Sequence, residues 1–546
     1  MASITGSKIL AKTLKQHGID TMFYIMGGPM LEAELACIDE GIHSVDVRHE
    51  QAAAMMAHAY ARLKNRVGLC MAASGPGTTN LVTGIAHAWA DAAPVFAIGG
   101  SAPLDLSGLG AFQEVDQVAM FRPITKWSER VLEAKRIPDM VATAMRQAIS
   151  GKPGPVYLDL PGDVLYEEVD EDLVVYPDPA RTFAKYRPAG NADAIREAIE
   201  LLGQASRPIV MTGSGIFWSD APAELQAFVE KFQIPFYTTP TGRGAVPDDH
   251  ELSFLSARSV AFREADLLLV VGTRSNYVNG HLRAPRFDKD AKLIQVNIDA
   301  GEIGITRECN VGIVGDAKVV LQQLSTEGSG KLDGNRYSAW IEHLRKVDKE
   351  KGAKNLERMS SDKLPIHPLR LCKEVSEFLD RDAILVVDGT EILSYGRQSI
   401  STFVPRHRLN SGVFGTMGVG LPFGLGAQVA CPDKQVVVLH GDGSFGMNAM
   451  ELDTAVRFNL PVVTVISLNG GWSAEEAHRK PGQHLGYQRY DQMAQTLGCY
   501  GEYVEDPTQI KPALERAFKS GLPAVINVRT DNRARAQTAK FTTYVT

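Results

Sequence analysis

The sequence predicts an α/β protein built from three doubly wound parallel-sheet domains. Three observations carry this: short β-rich apolar runs that end at turn residues, helical patterns that fill the gaps between them, and two polar segments that cut the 546 residues into similar units. That length suits about three domains at roughly 100–200 residues each.

The runs come in order. Residues 67–74, 94–100 and 155–161 lie in the first third, 207–215, 265–274 and 292–299 in the middle, and 383–390, 435–444, 461–469 and 523–530 in the last. Such stretches, apolar on both faces, read as central strands of parallel sheets. Between them lie helical patterns such as NLVTGIAHAWADA (80–92) and AMELDTAVRFN (449–459). Residues 166–190 are acidic and Pro-containing, residues 325–365 polar and charged, and both read as linkers. The expected domains are 1–165, 190–325 and 366–530, followed by a tail, 531–546. Ligands of such folds bind beyond the C-terminal ends of the strands.

Hydrophobic residues make up 44%, charged residues 22%, and the net charge is −7, which gives no reason to expect nucleic-acid or membrane partners. The six cysteines, Cys37, Cys70, Cys309, Cys372, Cys431 and Cys499, form no CxxC pair and read as small buried hydrophobes. That usage suits a reducing, cytoplasmic setting. The N-terminal stretch is an amphipathic helix pattern without a signal-peptide core. No apolar run approaches the ~20 residues of a membrane span, and Tyr544-Val545-Thr546 is not a peroxisomal signal.

The sharpest local signal is a strand ending in Gly441-Asp442-Gly443-Ser444, a helix, then a second strand ending at Asn469. Asp442 and Asn469 are thereby expected at the same end of two parallel strands. Gly441 and Gly443 let the backbone approach a ligand closely. The helix after Ser444 offers free N–H groups to phosphate. A lone Gly-Asp-Gly is often only a tight turn, but the second strand ending in Asn supplies the oxygen donors that Mg²⁺ prefers.

This motif resembles the signature of the thiamine diphosphate enzyme superfamily, and the resemblance spans the chain as pyrimidine-binding, middle Rossmann-like and diphosphate-binding domains. It implies Asp442 and Asn469 as metal ligands by side chain and Gly471 by carbonyl. Gly389, Thr390 and Glu391, at another strand end, would contact the diphosphate, and Trp472 belongs to the same group. GTMGVG (415–420) resembles the cofactor wedge: Met417 beneath the thiazolium, the Gly415 carbonyl facing the pyrimidine amino group. RHEQAAAMMAHAYAR (48–62) resembles the activating segment, which makes Glu50 the carboxylate that hydrogen-bonds the pyrimidine ring nitrogen. In the superfamily that glutamate and the metal site meet across two subunits, which implies a dimer at least and usually a homotetramer.

SGPGTTN (74–80) and AFQEVDQ (111–117) resemble acetolactate synthase and its relatives, with Gln113 reaching over the thiazolium and Phe112 and Glu114 supporting it. Met26-Gly27-Gly28-Pro29 instead resembles oxalyl-CoA decarboxylase and 2-hydroxyacyl-CoA lyase, and DQVAMFRPITKW (116–127) resembles benzaldehyde lyase. In Trp472-Ser473-Ala474-Glu475-Glu476, acetolactate synthases carry apolar residues at Ala474 and Glu475, and oxalyl-CoA decarboxylases a tyrosine at Ser473. A carboxylate there could take a substrate hydroxyl proton, as lyase chemistry needs. The basic tail, with Arg529, Arg533, Arg535 and Lys540, could close the site and contact CoA phosphates, and Arg397 is a second candidate. Gly213, Arg274 and Asp299 resemble a nucleotide site that holds ADP or FAD in relatives, with ADP ahead.

The reading is a thiamine diphosphate- and Mg²⁺-dependent lyase. It would cleave a 2-hydroxyacyl-CoA to an aldehyde or ketone plus formyl-CoA, reversibly, with Glu50, Gln113 and Glu475 or Glu476 handling protons. The alternatives are an acetolactate synthase-like carboligase of 2-oxo acids, an oxalyl-CoA decarboxylase, or a non-enzymatic cofactor-binding protein.

Overall fold

A computed structural model describes residues 3–184, 186–472 and 482–536. Three parallel sheets follow one another along the chain, each wrapped by helices on both faces, as the alternating pattern predicts. The first sheet runs in spatial order His43–Asp46, Thr21–Tyr24, Gly68–Ala72, Val95–Ser101, Val156–Pro161, Ser128–Arg130. The second runs Phe236–Thr238, Pro208–Thr212, Leu267–Val271, Lys292–Asn297, Val311–Val314. The third runs Arg408–Asn410, Ile384–Asp388, Val436–Gly441, Val463–Leu468, Ala524–Arg529, Tyr500–Val504. Each predicted apolar run holds a strand, one to three residues shorter at an end except for Val95–Ser101, which is displaced by one residue from its run 94–100. The short edge strands Ser128–Arg130 and Arg408–Asn410 have too little apolar length to announce themselves.

Helix Glu50–Lys64 explains how the first and third domains join. Its Ala-rich sequence leaves Ala52 to Ala61 almost fully buried, and it packs on helix Gly420–Ala430, itself apolar all round. A Cβ on Gly426 would stand 2.6 Å from the Met56 carbonyl, so glycine is what lets the backbones approach. The two domains share one apolar core through this contact, whereas the middle domain has its own. Burying Met55 and Met56 contributes roughly 1.5–3 kcal/mol each.

The two segments read as linkers are more ordered than that. Glu168–Asp170 pairs antiparallel with Ser3–Thr5, a strand ahead of helix Gly6–Gln16 in what reads as one helical pattern. Ser338–Met359 is a 22-residue helix. Trp340, Ile341 and Leu344 bury its first turns against the middle core, and Trp340 Nε1 donates to the Pro208 carbonyl at 3.2 Å. With the partly buried Val347 they are the apolar residues that dock an otherwise polar helix on this core, too few to register as amphipathic. All six cysteines are free. Among the described residues no helix is long and apolar enough to cross a membrane.

Candidate functional site

Strands Val436–Gly441 and Val463–Leu468 are adjacent and parallel, with Gly441 opposite Ser467. Their C-terminal ends therefore deliver Asp442 and Asn469 side by side. Strand Ile384–Asp388, on the other flank of Val436–Gly441, delivers Gly389, Thr390 and Glu391. One cleft is lined by these three, by Met417, by Gly441 to Ser444, and by Asn469, Gly471 and Trp472.

The donors in this cleft are hard oxygens held by the main chain. The Asp442 carboxylate accepts from Gly443 N at 2.9 Å and Gly470 N at 2.7 Å, and Asn469 Oδ1 accepts from Gly471 N at 3.2 Å. Burial pushes Asp442 up to about 6, although the N–H groups of Gly470, Gly443 and Gly471 oppose it. A desolvated carboxylate without a counter-ion is electrostatically suited to a cation. The Trp472 ring lies over the turn: a Cβ on Gly443 would stand 2.6 Å from its Cζ3. The Ser444 hydroxyl faces inward, donating to the Gly441 carbonyl at 3.0 Å beside His440 Nδ1, also at 3.0 Å.

Behind the cleft, Asp388 and His440 are buried, and Asp388 Oδ2 accepts from Gly420 N at 2.9 Å. Burial raises Asp388 to about 6 and lowers His440 to about 3, so the imidazole is neutral. Neither stands out in the sequence, because each is one polar residue at the end of an apolar strand.

The tail returns to this cleft. Asp531 and Ala534 line it, and Ala536 N donates to Glu391 Oε2 at 2.7 Å. Glu391 thus holds the tail rather than facing the cleft alone. Arg533 and Arg535 are exposed. Gly415 sits at φ 70° in the loop carrying Met417, and its N–H donates to the Ser411 carbonyl at 3.0 Å, but it is not among the lining residues. Glu475 and Glu476 lie outside the described residues.

Glu50 and Gln113 do not line this cleft; they meet each other's surroundings at the turn 74–80. Glu50 opens helix Glu50–Lys64 and accepts from Asn80 Nδ2 at 2.9 Å. Gln113, in the positive-φ region, accepts from Ser74 Oγ at 2.6 Å. It faces a separate cleft of about 490 Å³ with Gln117 and Arg130. Glu114 accepts from the N–H groups of Gly108, Gly110 and Ala111, closing its own loop, and Phe112 is 85% exposed. The support expected of these two residues is not seen within one chain.

A third cleft, of about 530 Å³, opens where the middle strands end and runs against the first domain, lined by Ser214, Gly215, Arg274, Asn297 and Lys152. Arg274 donates to the Ala90 carbonyl across that boundary. Gly213 instead packs on Thr273, and Asp299 pairs with Lys152 at 2.9 Å. Neither lines the cleft, which departs from the expectation for both.

Arg397 lies on helix Glu391–Ser399, whose first residues reach the first cleft. It stands within electrostatic reach of Tyr277, Arg258 and Arg243; burial first, then those two cations, lowers it to about 10. Its Nε is buried with no hydrogen-bond partner among the described residues. Arg258 and Arg286 both flank the Phe262 ring, at 6.0 and 5.6 Å. Of the four guanidiniums, Arg243 is paired, with Asp248 at 2.6 Å, while Arg258 and Arg397 pair with no carboxylate among the described residues.

Residues 4–120, 195–324 and 392–528 match, in order, the thiamine pyrophosphate enzyme N-terminal TPP binding domain, central domain and C-terminal TPP binding domain. A probable acetolactate synthase of Mycobacterium bovis is 36% identical over 96% of this chain and 95% of its own. A 2-hydroxyacyl-CoA lyase of Arabidopsis thaliana is 35% identical over 99% and 98%, and 2-hydroxyacyl-CoA lyase 1 of Homo sapiens 31% over 98% and 96%.

Proposed function

The chain belongs to the thiamine pyrophosphate enzymes, and within that family we propose that it is a Mg²⁺-dependent carbon–carbon lyase. It cleaves a 2-hydroxyacyl-CoA to an aldehyde or ketone and formyl-CoA, and runs in reverse as an acyloin-type condensation. Relatives bearing acetolactate synthase and lyase names match about equally well, so the substrate is argued from this chain's own residues.

The observation that carries the thioester is the guanidinium group around Arg397. A buried cation without a partner is costly unless an anion joins it, and Arg397 is such a group: its Nε is buried and pairs with no carboxylate among the described residues. Arg397 lies within electrostatic reach of Arg243, Arg258 and Tyr277, and the Tyr277 hydroxyl donates to the Val413 carbonyl in the loop carrying Met417. A polyanionic tail anchored at Arg397 would lie along the helix whose first residues line the cofactor cleft, which suits the phosphates of CoA.

The C-terminal cleft fits thiamine diphosphate and Mg²⁺ by its donor set. Asp442, Asn469 and the Gly471 carbonyl would hold the metal. The backbone at Gly389, Thr390, Gly441, Gly443 and Ser444 would take the diphosphate, and Met417 and the Gly415 carbonyl the rings. When bound, the cofactor supplies the electron sink that lets a bond beside a carbinol carbon break. Glu50 holds the pyrimidine-nitrogen proton. Gln113 would hydrogen-bond the substrate hydroxyl, and Glu475 or Glu476 would take its proton. Because Glu50 and Gln113 stand away from the metal cleft of their own chain, a second chain brings them to it, and the working unit is a dimer or a tetramer of two such dimers. The middle cleft takes a nucleotide, ADP ahead of FAD.

The test is formyl-CoA release from a 2-hydroxyacyl-CoA with thiamine diphosphate and Mg²⁺. Conversion of pyruvate to acetolactate with no thioester cleavage would replace this reading by the synthase.

A further inference from the structure

Val413 lies in the loop that carries Gly415 and Met417, and its peptide is gripped from both other domains. Its N–H donates to Asp91 Oδ1 at 3.2 Å, and its carbonyl accepts from the Tyr277 hydroxyl at 2.8 Å. Asp91 closes helix Val82–Asp91 of the first domain; Tyr277 opens the 3-10 helix Tyr277–Leu282 of the middle domain. The residues on either side are shaped for the same contact. Gly412 has φ +57°, and a Cβ there would overlap the Asp91 carboxylate. Phe414 stacks on the His87 ring, with centroids 6.4 Å apart at 17°, inside the usual range for aromatic pairs.

Asp91 is held in turn by groups that have little else to bind. Its Oδ2 stands 3.4 Å from His87 Nε2, 3.7 Å from His58 Nε2 and 3.7 Å from Arg62 Nη1, all buried. Apart from these contacts with Asp91, neither imidazole has a hydrogen-bond partner among the described residues. The atoms of His58, His87 and Asp91 lie within 4.8 Å of one another, a spacing a divalent cation could span. Arg62 argues against that occupant: its guanidinium already balances Asp91, and a second buried cation beside it would be repelled. The cluster reads instead as a rigid, charge-balanced anchor.

We propose that Asp91 and Tyr277 are positioning residues forming a three-domain clamp on the Val413 peptide. The clamp sets the loop so that Met417 and the Gly415 carbonyl stand ready for the cofactor before it arrives. The inference rests on the reading of Met417 as the cofactor wedge. It assigns a task to the middle domain, none of whose described residues lines the cleft: through Tyr277, that domain helps to hold the wedge.

The test uses the full-length, cofactor-free enzyme and two variants on opposite grips, Tyr277→Phe, which removes one hydroxyl, and Gly412→Ala, which displaces Asp91. Hydrogen exchange of a peptide covering 411–418 should quicken about 5-fold or more in each, as loss of one hydrogen bond implies, with the middle-domain core strands unchanged. Titration with thiamine diphosphate at saturating Mg²⁺, followed by quenching of tryptophan fluorescence (Trp472 lines the cleft), should show a comparable rise in Kd. In a Met417→Ala background that rise should vanish, because the clamp acts through the wedge. Unchanged exchange in Tyr277→Phe overturns the clamp, and so does an equal rise in Kd with and without Met417 where Met417→Ala itself weakens binding. A stoichiometric transition metal that is retained by the purified enzyme and lost with His87→Gln overturns the anchor as drawn. If Met417→Ala binds cofactor normally while exchange still quickens, the wedge reading fails and the clamp stands.

Discussion

The clefts at the ends of the third and middle sheets treat charge in opposite ways. At the third sheet, Asp442 is buried, bonded only to backbone N–H groups, and forms no ion pair among the described residues. At the middle sheet the charges are already matched: Lys152 bridges Asp299 and Glu302 at 2.9 and 2.7 Å, and Arg187 meets Asp316 at 2.8 Å. Arg274 is spent on a neighbouring carbonyl. The same parallel-sheet architecture thus yields one desolvated carboxylate open to a cation and one set of charges that fastens domains together. A nucleotide in the middle cleft would rely on backbone and shape.

The sharpest way to break this contrast is a pair of isosteric changes. Asp442→Asn should cost at least about 100-fold in Mg²⁺-dependent turnover, more than loss of a metal's outer-shell partner. Asp299→Asn should leave turnover within a few-fold and shift stability by less than about 1 kcal/mol, as partly exposed pairs do. Similar losses from both would dissolve the distinction. Glu50→Gln should lower kcat by about 10²–10⁴-fold, the usual worth of acid–base assistance, with the Kd for thiamine diphosphate nearly unchanged by fluorescence titration. A change confined to Kd would make Glu50 a binding residue only.

Arg258→Ala extends the comparison to charges that are unmatched yet lie outside both clefts. It should raise KM for an acyl-CoA about 10-fold, the worth of a charged hydrogen bond, and leave any free-acid substrate alone. Equal effects on both substrates would remove the CoA assignment.

The smallest effect concerns Glu451, which joins the first and third domains by accepting from Arg48 N and His49 N just ahead of Glu50. Burial raises it from 4.5 to about 7, opposed in part by Thr454 and those two N–H groups. The folded state therefore holds this proton more tightly than the unfolded chain. Its contribution to stability is full below pH 4.5 and is lost as pH rises through 7. Glu451→Gln should flatten the pH dependence of Tm in that window; an unaltered slope would show that burial does not govern this carboxylate.

Legibility follows how local each feature is. Asp442 and Asn469 are readable because one strand–helix–strand unit places both, and the glycines flanking Asp442 open the backbone there to a ligand. Gly213 and Asp299 sit at strand ends as well, but only the folded chain shows Thr273 filling the space beside one and Lys152 neutralising the other. The helix Ser338–Met359 does not announce itself, because its contacts with the middle core are confined to its first three turns and Met359 at its end meets a different core. Arg397 stands out as a lone cation, whereas its grouping with Arg243 and Arg258 joins positions more than a hundred residues apart.

The sequence by itself determined the three parallel sheets, because strand periodicity and turn residues are local, and it determined the hard-oxygen donor set at one strand end. Only the tertiary structure decided which charges are already neutralised, that Glu50 and Gln113 stand apart from the cleft of Asp442, and which domains grip the Val413 peptide. Those are questions of which distant groups share a low-dielectric space, where a single partner a few ångströms away changes a carboxylate from a site into a strut.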